Sequence, residues 1–368
     1  MTQDNIRVLI VDDSAVMRAL ISDQVNAAQG MSVAGVARNG KDALASIASL
    51  RPDVVTLDLQ MPGMDGLEVL DAMLDKDPVP VIMVSSLTKS GAVVTLDALD
   101  RGATDYVAKP DAGAECRALF IEELLHKIRT AACIDVKRLL SRRKRKAEAA
   151  PEPAPGPAKA KASAEECPPE FASRCIALGI STGGPPALTR LLSSLKPPMP
   201  PMVIVQHMPP QFTGPLAQRL DSISALTVQE ATQGDRLQPN RVLVAPGGRH
   251  VQLRGRGTHV TILLKDGPVV SGHKPSVDVM MTTAAEAYGS NCLGVIMTGM
   301  GRDGVDGCRA IRAAGGFVLG QNEATSDVYG MNRAAYVEGH VDRQFSLQDG
   351  AAMISQQVRR LGAAMATT

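Results

Sequence analysis

Three side chains set along the second half of the chain have the types needed for acyl transfer. The apolar run Cys175–Ile180 leads directly into Ser181-Thr182-Gly183-Gly184, and Gly179-Ile180-Ser181-Thr182-Gly183 has the G-x-S-x-G form. Small neighbours allow a tight strand-to-helix turn that presents the serine hydroxyl. A competing reading makes Ser181 or Thr182 the cap of a helix starting near Pro185. A nucleophilic serine needs a base, and the chain has six histidines: 126, 207, 250, 259, 273 and 340. His207 follows at once on the buried-strand pattern Met202–Gln206, which places it on the same sheet rim as Ser181 provided both strands run parallel. His250, after an Ala-Pro-Gly-Gly loop, is the alternative. The imidazole needs a carboxylate to fix its tautomer. Asp303 in TGMGRDG (298–304) is one candidate, Asp278 in HKPSVD the other, and Asp303 also stands where it would cap a helix over Val305–Ala314. Glycines around Met300 free backbone N–H groups to stabilise an oxyanion.

The same loop contains a literal G-x-G-x-x-G, Gly299 to Gly304, between a strand and a helix and with Glu323 nineteen residues on. A dinucleotide fingerprint belongs to the first βα unit of its domain, however, and an aspartate at this turn repels a pyrophosphate. The order Ser181, His207, Asp303 is also not the Ser, Asp, His order of α/β-hydrolases.

A second constellation lies in the first half, at the carboxyl ends of expected strands. Asp12 and Asp13 follow the first, Asp58 the third, Ser85 the fourth and Lys109 the fifth. Carboxylates gathered on one rim call for a hard cation such as Mg²⁺, while Lys109 and the Ser85 hydroxyl suit the oxygens of a phosphoryl group on Asp58. The plain alternative is that Asp12 or Asp13 caps the first helix and Lys109 is a surface charge.

The elements that hold these groups repeat one style. Strands are expected at Arg7–Val11, Met31–Ala37, Val54–Leu57, Val81–Ser85 and Asp105–Ala108, with helices between them and beyond, including Ala15–Ala28 and Glu115–Ala131. Five β-α units in this span define a doubly wound parallel sheet. Strands at Cys175–Ile180, Met202–Gln206, Arg241–Ala245, Gly294–Thr298 and Phe317–Gly320 repeat it, and His250–Leu264 reads as an antiparallel hairpin. Between the halves, residues 137–146 carry seven Lys or Arg, and residues 147–170 are mostly Ala, Pro, Glu and Lys, a linker composition. The basic run reads as a solvated helix end or as a patch for an acidic partner.

The 368 residues are 45% hydrophobic and 21% charged, with a formal net charge of +1, which excludes a global bias towards nucleic acid. Aromatics are few and Met reaches 17, so aliphatic and Met side chains must fill the cores. The six cysteines show no metal-ligand spacing, and Cys175 and Cys292 fall in strand-like runs as buried thiols. With no apolar signal core and no membrane-length run, the expectation is a soluble protein of a reducing cytoplasm.

LIVDDS (9–14), TLDLQMPGMDG (56–66), MVSS (83–86), Tyr106 and Lys109-Pro110 resemble a response-regulator receiver. The resemblance implies a flavodoxin-like five-stranded sheet, Asp58 as phospho-acceptor, Mg²⁺ held with Asp12 and Asp13, switch roles for Ser85, Tyr106 and Lys109, and a histidine kinase as phosphodonor. IALGISTGGPPAL (176–188), VIVQHMPPQFTGPLAQRL (203–220), VLVAPGGRHV (242–251), PSVDVMM (275–281), TGMGRDGVDG (298–307) and GMNRAA (330–335) resemble the catalytic domain of the chemotaxis protein-glutamate methylesterases. That implies Ser181 as nucleophile, His207 as base and Asp303 as its orienting acid, with Thr182 beside the nucleophile and the Met300 amide in the oxyanion hole. It also implies an esterase and glutamine deamidase without a cofactor for that chemistry, acting on cytoplasmic helices of methyl-accepting chemotaxis receptors. Such a protein is cytoplasmic and recruited to membrane receptor arrays, without membrane insertion or nucleic acid. The organisation expected is a receiver over 1–130, a linker over 131–171 and a catalytic domain over 172–368 whose sheet is mostly parallel and doubly wound. Asn240, Lys274 and Asn332 depart from the family pattern, where Gly, Arg and Pro are usual. A receiver-controlled DNA-binding regulator or a non-catalytic scaffold is the alternative; no DNA-reading element follows the basic run.

Overall fold

The computed structural model describes residues 5–110, 113–134, 136 and 167–361. The chain divides into two compact units, with the division between Ala154 and Pro155. The basic run at 137–146 lies outside the described residues.

In the first unit five short apolar runs become β1 (Ile6–Val11), β2 (Met31–Ala37), β3 (Val54–Asp58), β4 (Val81–Ser85) and β5 (Asp105–Ala108). They alternate with α1 (Ala15–Ala27), α2 (Gly40–Leu50), α3 (Gly66–Lys76), α4 (Lys89–Arg101) and α5 (Ala114–Ala132). The strands are parallel in the order β2-β1-β3-β4-β5. Because strand side chains alternate between faces, Val8, Ile10, Ile82 and Val84 pack with Ile21 and Val25 of α1 and Phe120, Leu124 and Ile128 of α5. Helix starts are chemically marked: Ser14 caps α1, and Asp65 with Glu68 forms a capping box on α3. Neither Asp12 nor Asp13 is the cap of the first helix.

The second unit runs β6 (Cys175–Ile180), α6 (Gly184–Ser194), β7 (Met202–Gln206), α7 (Pro210–Ile223), β8 (Thr227–Glu230), β9 (Arg241–Val244), β10 (His250–Arg254) and β11 (Thr261–Lys265). It continues with α8 (Val277–Tyr288), β12 (Cys292–Ile296), α9 (Val305–Ala313), β13 (Phe317–Gln321), α10 (Met331–Val337), β14 (Arg343–Phe345) and α11 (Gly350–Arg360). Seven strands form one sheet in the order β14-β13-β12-β6-β7-β9-β8, every pair parallel, and β10 and β11 make the separate antiparallel hairpin. The central strands β6, β7 and β12 are buried along their whole length, which is why they read as unbroken apolar runs. β8 and β14 are short, partly polar edge strands that the apolar-run reading passes over. β12 also begins and ends two residues earlier than its sequence pattern indicates, leaving Met297 and Thr298 to the loop.

Two glycines permit the close approaches that shape the site. A Cβ on Gly179 would lie 2.2 Å from Val277 Cγ1, so only glycine lets the start of α8 rest on β6. A Cβ on Gly299 would lie 2.7 Å from that of Ser181, so the loop after β12 rests directly on the serine. Cys175 and Cys292 are register partners on adjacent strands and are buried, and burial pushes the Cys292 thiol up to about 12. They are core residues, as their sequence setting indicates.

Candidate active site

From β6 the chain moves to β7 on one side, while β12 flanks it on the other, so the carboxyl end of β6 is a topological switch point. Ile180 and Gln206 are opposite each other in register, and Ser181 and His207 therefore leave neighbouring strands side by side. On the other flank Ser181 N donates to Thr298 O at 3.0 Å, and Thr298 Oγ1 donates to Thr182 O at 3.0 Å. The cap of α6 is Gly183 at φ +75°, with no side-chain cap bond. Ser181 and Thr182 are thus not the cap, and Ser181 sits at the sheet rim, 9% exposed.

His207 Nε2 lies 2.8 Å from Asp303 Oδ2. A carboxylate only accepts, so the proton is on Nε2 and Nδ1 carries the free lone pair. Nδ1 is buried and has no hydrogen-bond partner among the described residues. One face of the imidazole is covered by the His273 ring, stacked at 3.7 Å and 9°. His250, the alternative base, is committed elsewhere. Its Nε2 donates to Pro268 O at 2.9 Å and its Nδ1 accepts from Ser276 N at 3.2 Å, so it has no lone pair left for a serine proton.

The two candidate carboxylates have separate tasks. Asp303, wholly buried, accepts from Ser276 Oγ (2.8 Å), Val277 N (2.7 Å) and Asp278 N (3.0 Å) as well as from His207. It sits at the N-terminus of α8. Asp278 Oδ1 in turn accepts from Gly304 N (2.9 Å) and Gly307 N (2.8 Å) at the start of α9, and its Oδ2 accepts from Ser271 Oγ at 2.8 Å. Each aspartate thus satisfies the start of the other's helix, a reciprocal arrangement that fixes the loop carrying Met300 and Asp303. It also disposes of the dinucleotide fingerprint, because the N–H groups a pyrophosphate would use already serve Asp278. The sequence reading of Asp303 as the cap of α9 is corrected likewise: the N-cap is Gly304, and Asp278, from α8, accepts from the N–H groups at that helix start.

Burial alone would raise the Asp303 carboxyl, but the hydrogen bond and charge of His207 and the N–H groups of Asp278 and Val277 hold it below its ordinary value of 3.8. A depressed carboxyl contributes stability that is full above its unfolded-state value and is lost as pH falls through the folded one. The stability gap between wild type and Asp303→Asn should therefore be widest near neutrality and shrink below about pH 4. Hydrogen exchange in graded urea, read over residues 172–361, checks this. A gap that widens on acidification contradicts it.

The sequence departures find structural explanations. Asn240 adopts φ +60°, the left-handed conformation its amide tolerates, and its Oδ1 accepts from Met199 N at 2.8 Å. Asn332 is fully buried, with Nδ2 donating to Gln321 O (2.7 Å) and Ser326 Oγ (2.8 Å), so it ties β13 to the following turn. Lys274 Nζ donates to Gly267 O at 3.0 Å.

In the first unit, Asp12, Asp13 and Asp58 offer carboxylate oxygens within 4.8 Å of one another. Lys109 Nζ lies 3.0 Å from Asp12 Oδ2 and 2.8 Å from Asp58 Oδ2, an ion-paired group and not a surface charge. Burial raises the Asp58 carboxyl, a tendency Lys109 opposes. Three carboxylates, hard oxygen donors gathered within 4.8 Å, are the donor chemistry that suits Mg²⁺. Ser85 is buried at the end of β4, its hydroxyl 3.4 Å from Ser86 O and Gly91 O. Tyr106 is buried, its ring 4.8 Å from Lys127 Nζ. Thr182 follows Ser181 in the turn after β6, and Met300 follows Gly299 in the loop after β12.

An aspartate cluster paired with a lysine on one parallel sheet, and a histidine–aspartate pair beside a strand-end serine on the other, have the form of a response regulator with a hydrolase-type effector. The CheB methylesterase family model matches residues 176–354 and the response regulator receiver domain model matches residues 8–120. The protein-glutamate methylesterase/protein-glutamine glutaminase 2 of Pseudomonas aeruginosa is 42% identical over 97% of this chain and 98% of its own length. The protein-glutamate methylesterase/protein-glutamine glutaminase of Syntrophotalea carbinolica is 40% identical over 95% and 96%. The Thermotoga maritima CheB methylesterase catalytic domain is 36% identical with a TM-score of 0.49, over 50% of this chain and 98% of that one. The chain belongs to the protein-glutamate methylesterase/protein-glutamine glutaminase family, enzymes of chemotaxis that carry a receiver. A receiver implies Mg²⁺-dependent phosphorylation from a histidine kinase. No helix among the described residues is long and apolar enough to cross a membrane.

Proposed function

We propose that this enzyme hydrolyses γ-glutamyl methyl esters on the cytoplasmic helices of chemotaxis receptors and deamidates receptor glutamines, with Ser181 as nucleophile, His207 as base and Asp303 as the orienting carboxylate. The observation that carries this reading is the 2.8 Å bond from His207 Nε2 to a wholly buried Asp303, which leaves Nδ1 as the basic nitrogen of a histidine that follows the strand next to that of Ser181. His207 Nδ1 takes the serine proton as Oγ attacks the ester carbonyl. Positive charge forming on the ring is stabilised by Asp303, already ionised. The oxyanion is met by backbone N–H groups around Ser181 and Met300. The imidazolium returns its proton to the departing methoxide, and methanol leaves; with a glutamine side chain, ammonia leaves instead. Water then attacks the acyl-enzyme with the same nitrogen as base, freeing Ser181 and a glutamate carboxylate.

The receiver supplies control in this reading. Asp58 accepts the phosphoryl group, Asp12, Asp13 and Asp58 would hold Mg²⁺, and Lys109 pairs with the phosphoryl oxygens, with Ser85 and Tyr106 as the residues that respond. When bound, Mg²⁺ offsets the charge gathered at Asp58. The domains serving these tasks are the receiver over 1–130 and the catalytic domain over 172–368, joined by residues 131–171, in a cytoplasmic protein drawn to receptor arrays. A small phosphodonor with Mg²⁺ should raise methanol release from methylated receptor by roughly 5–150-fold, the range of ordinary coupling free energies. Asp58→Asn should abolish that rise. A rise that survives Asp58→Asn would place the control elsewhere.

A further inference from the structure

Gln206 ends β7 one residue before the proposed base, and its side chain is buried, 3% exposed. Nε2 donates to two backbone carbonyls, Ser181 O at 3.1 Å and His207 O at 3.1 Å. Carbonyls only accept, so both contacts require the amide nitrogen and fix the orientation of the group. One NH₂ thus joins the backbones of the proposed nucleophile and base across two strand ends, and Ser181 O takes a second bond from Gly184 N at 2.8 Å. The arrangement is bought at a loss: Gln206 Oε1 is buried with no hydrogen-bond partner. A leucine would fill this strand end without that unsatisfied oxygen, so core filling does not account for an amide here. The amide also depends on Gly184, since a Cβ there would lie 1.9 Å from Gln206 Oε1.

We propose that Gln206 is a positioning residue for the esterase reaction: its NH₂ clamps the Ser181 and His207 carbonyls and thereby sets the serine hydroxyl against the imidazole. It touches no reacting atom, and the inference rests on Ser181 and His207 being nucleophile and base. Small misplacements of reacting groups cost up to about 100-fold in rate. In the full-length protein, Gln206→Glu keeps the shape and loses the donor, Gln206→Met keeps the volume and loses both polar atoms, and Gly184→Ala displaces the amide while leaving Gln206 in place.

Each variant should lower kcat for methanol release by roughly 10–100-fold with KM little changed. Each should also slow labelling of Ser181 by a sulfonyl fluoride, located by peptide mass spectrometry. Combining Gly184→Ala with Gln206→Met should be no worse than the more damaging single change, because both remove the same clamp. Wild-type kcat and labelling in folded Gln206→Met and Gly184→Ala would overturn the proposal, as would losses that appear in KM alone or that follow the fraction unfolded. In the unaltered protein the Gln206 side-chain NH₂ should exchange slowly with solvent, and fast exchange would also overturn it. Ser181→Ala run in parallel separates the two readings. Turnover surviving in Ser181→Ala defeats the nucleophile assignment, whereas an inactive Ser181→Ala beside fully active Gln206→Met and Gly184→Ala defeats only the clamp.

Discussion

Replacing Ser181 by alanine is expected to end receptor demethylation while leaving a folded protein. The substitution removes one oxygen at the rim of the sheet, and the backbone bond from Ser181 N to Thr298 O is untouched. Without its nucleophile an enzyme of this type retains at most the ~10³–10⁴-fold effect over water that binding and oxyanion stabilisation supply. Methanol release from methylated receptor, followed alongside the thermal transition, reads both halves of the expectation. Near wild-type release from the folded variant would refute the assignment.

The second large effect separates the two aspartates. Asp303→Asn should cost about 10⁴-fold in turnover, because an amide in place of the acceptor favours the wrong imidazole tautomer. His207→Gln should be comparably damaging, and adding either change to Ser181→Ala should cost little more, since groups acting as one unit are strongly non-additive. Asp278→Asn should be far milder. The N–H groups of Gly304 and Gly307 both reach Asp278 Oδ1, which the amide oxygen of asparagine can replace. Single-turnover methanol release by the four variants makes the comparison. If Asp278→Asn proves more damaging than Asp303→Asn, the carboxylates have been assigned the wrong way round.

The positions of Ser181, His207, Asp58 and Lys109 were legible because each stands at or just past the end of a strand whose mostly buried run marks its own end. The hairpin over β10 and β11 was legible for the same local reason, its alternation. What was not legible depends on chain segments that meet only in the fold. Asp278 and Asp303 each stand at a helix start, and from spacing alone either one orients the base. Only the crossing of α8 and α9 shows that each serves the other's helix. His273 lies in an irregular stretch with no period to reveal that its ring covers His207. Ser276, which binds Asp303 and is itself held by His250, was hidden likewise. Gln206 did leave a signal, a polar amide closing the otherwise apolar strand Met202–Gln206, but its meaning required the register that sets it beside Ser181. β8 and β14 escaped because short edge strands lack the continuous burial that marks central ones.

The central claim is that this chain removes methyl groups and amide nitrogens from receptor glutamyl side chains through an acyl-enzyme on Ser181. Mass spectrometry of methylated, glutamine-containing receptor cytoplasmic fragments tests it most directly, after incubation with phosphodonor-activated enzyme in ¹⁸O-labelled water. Wild type should convert methyl esters and particular glutamines to glutamates carrying one ¹⁸O, and rapid acid quenching should catch the receptor peptide on the fragment containing Ser181. Receptor peptides unchanged in mass, or conversion at full rate with the adduct absent and Ser181→Ala equally active, would contradict it.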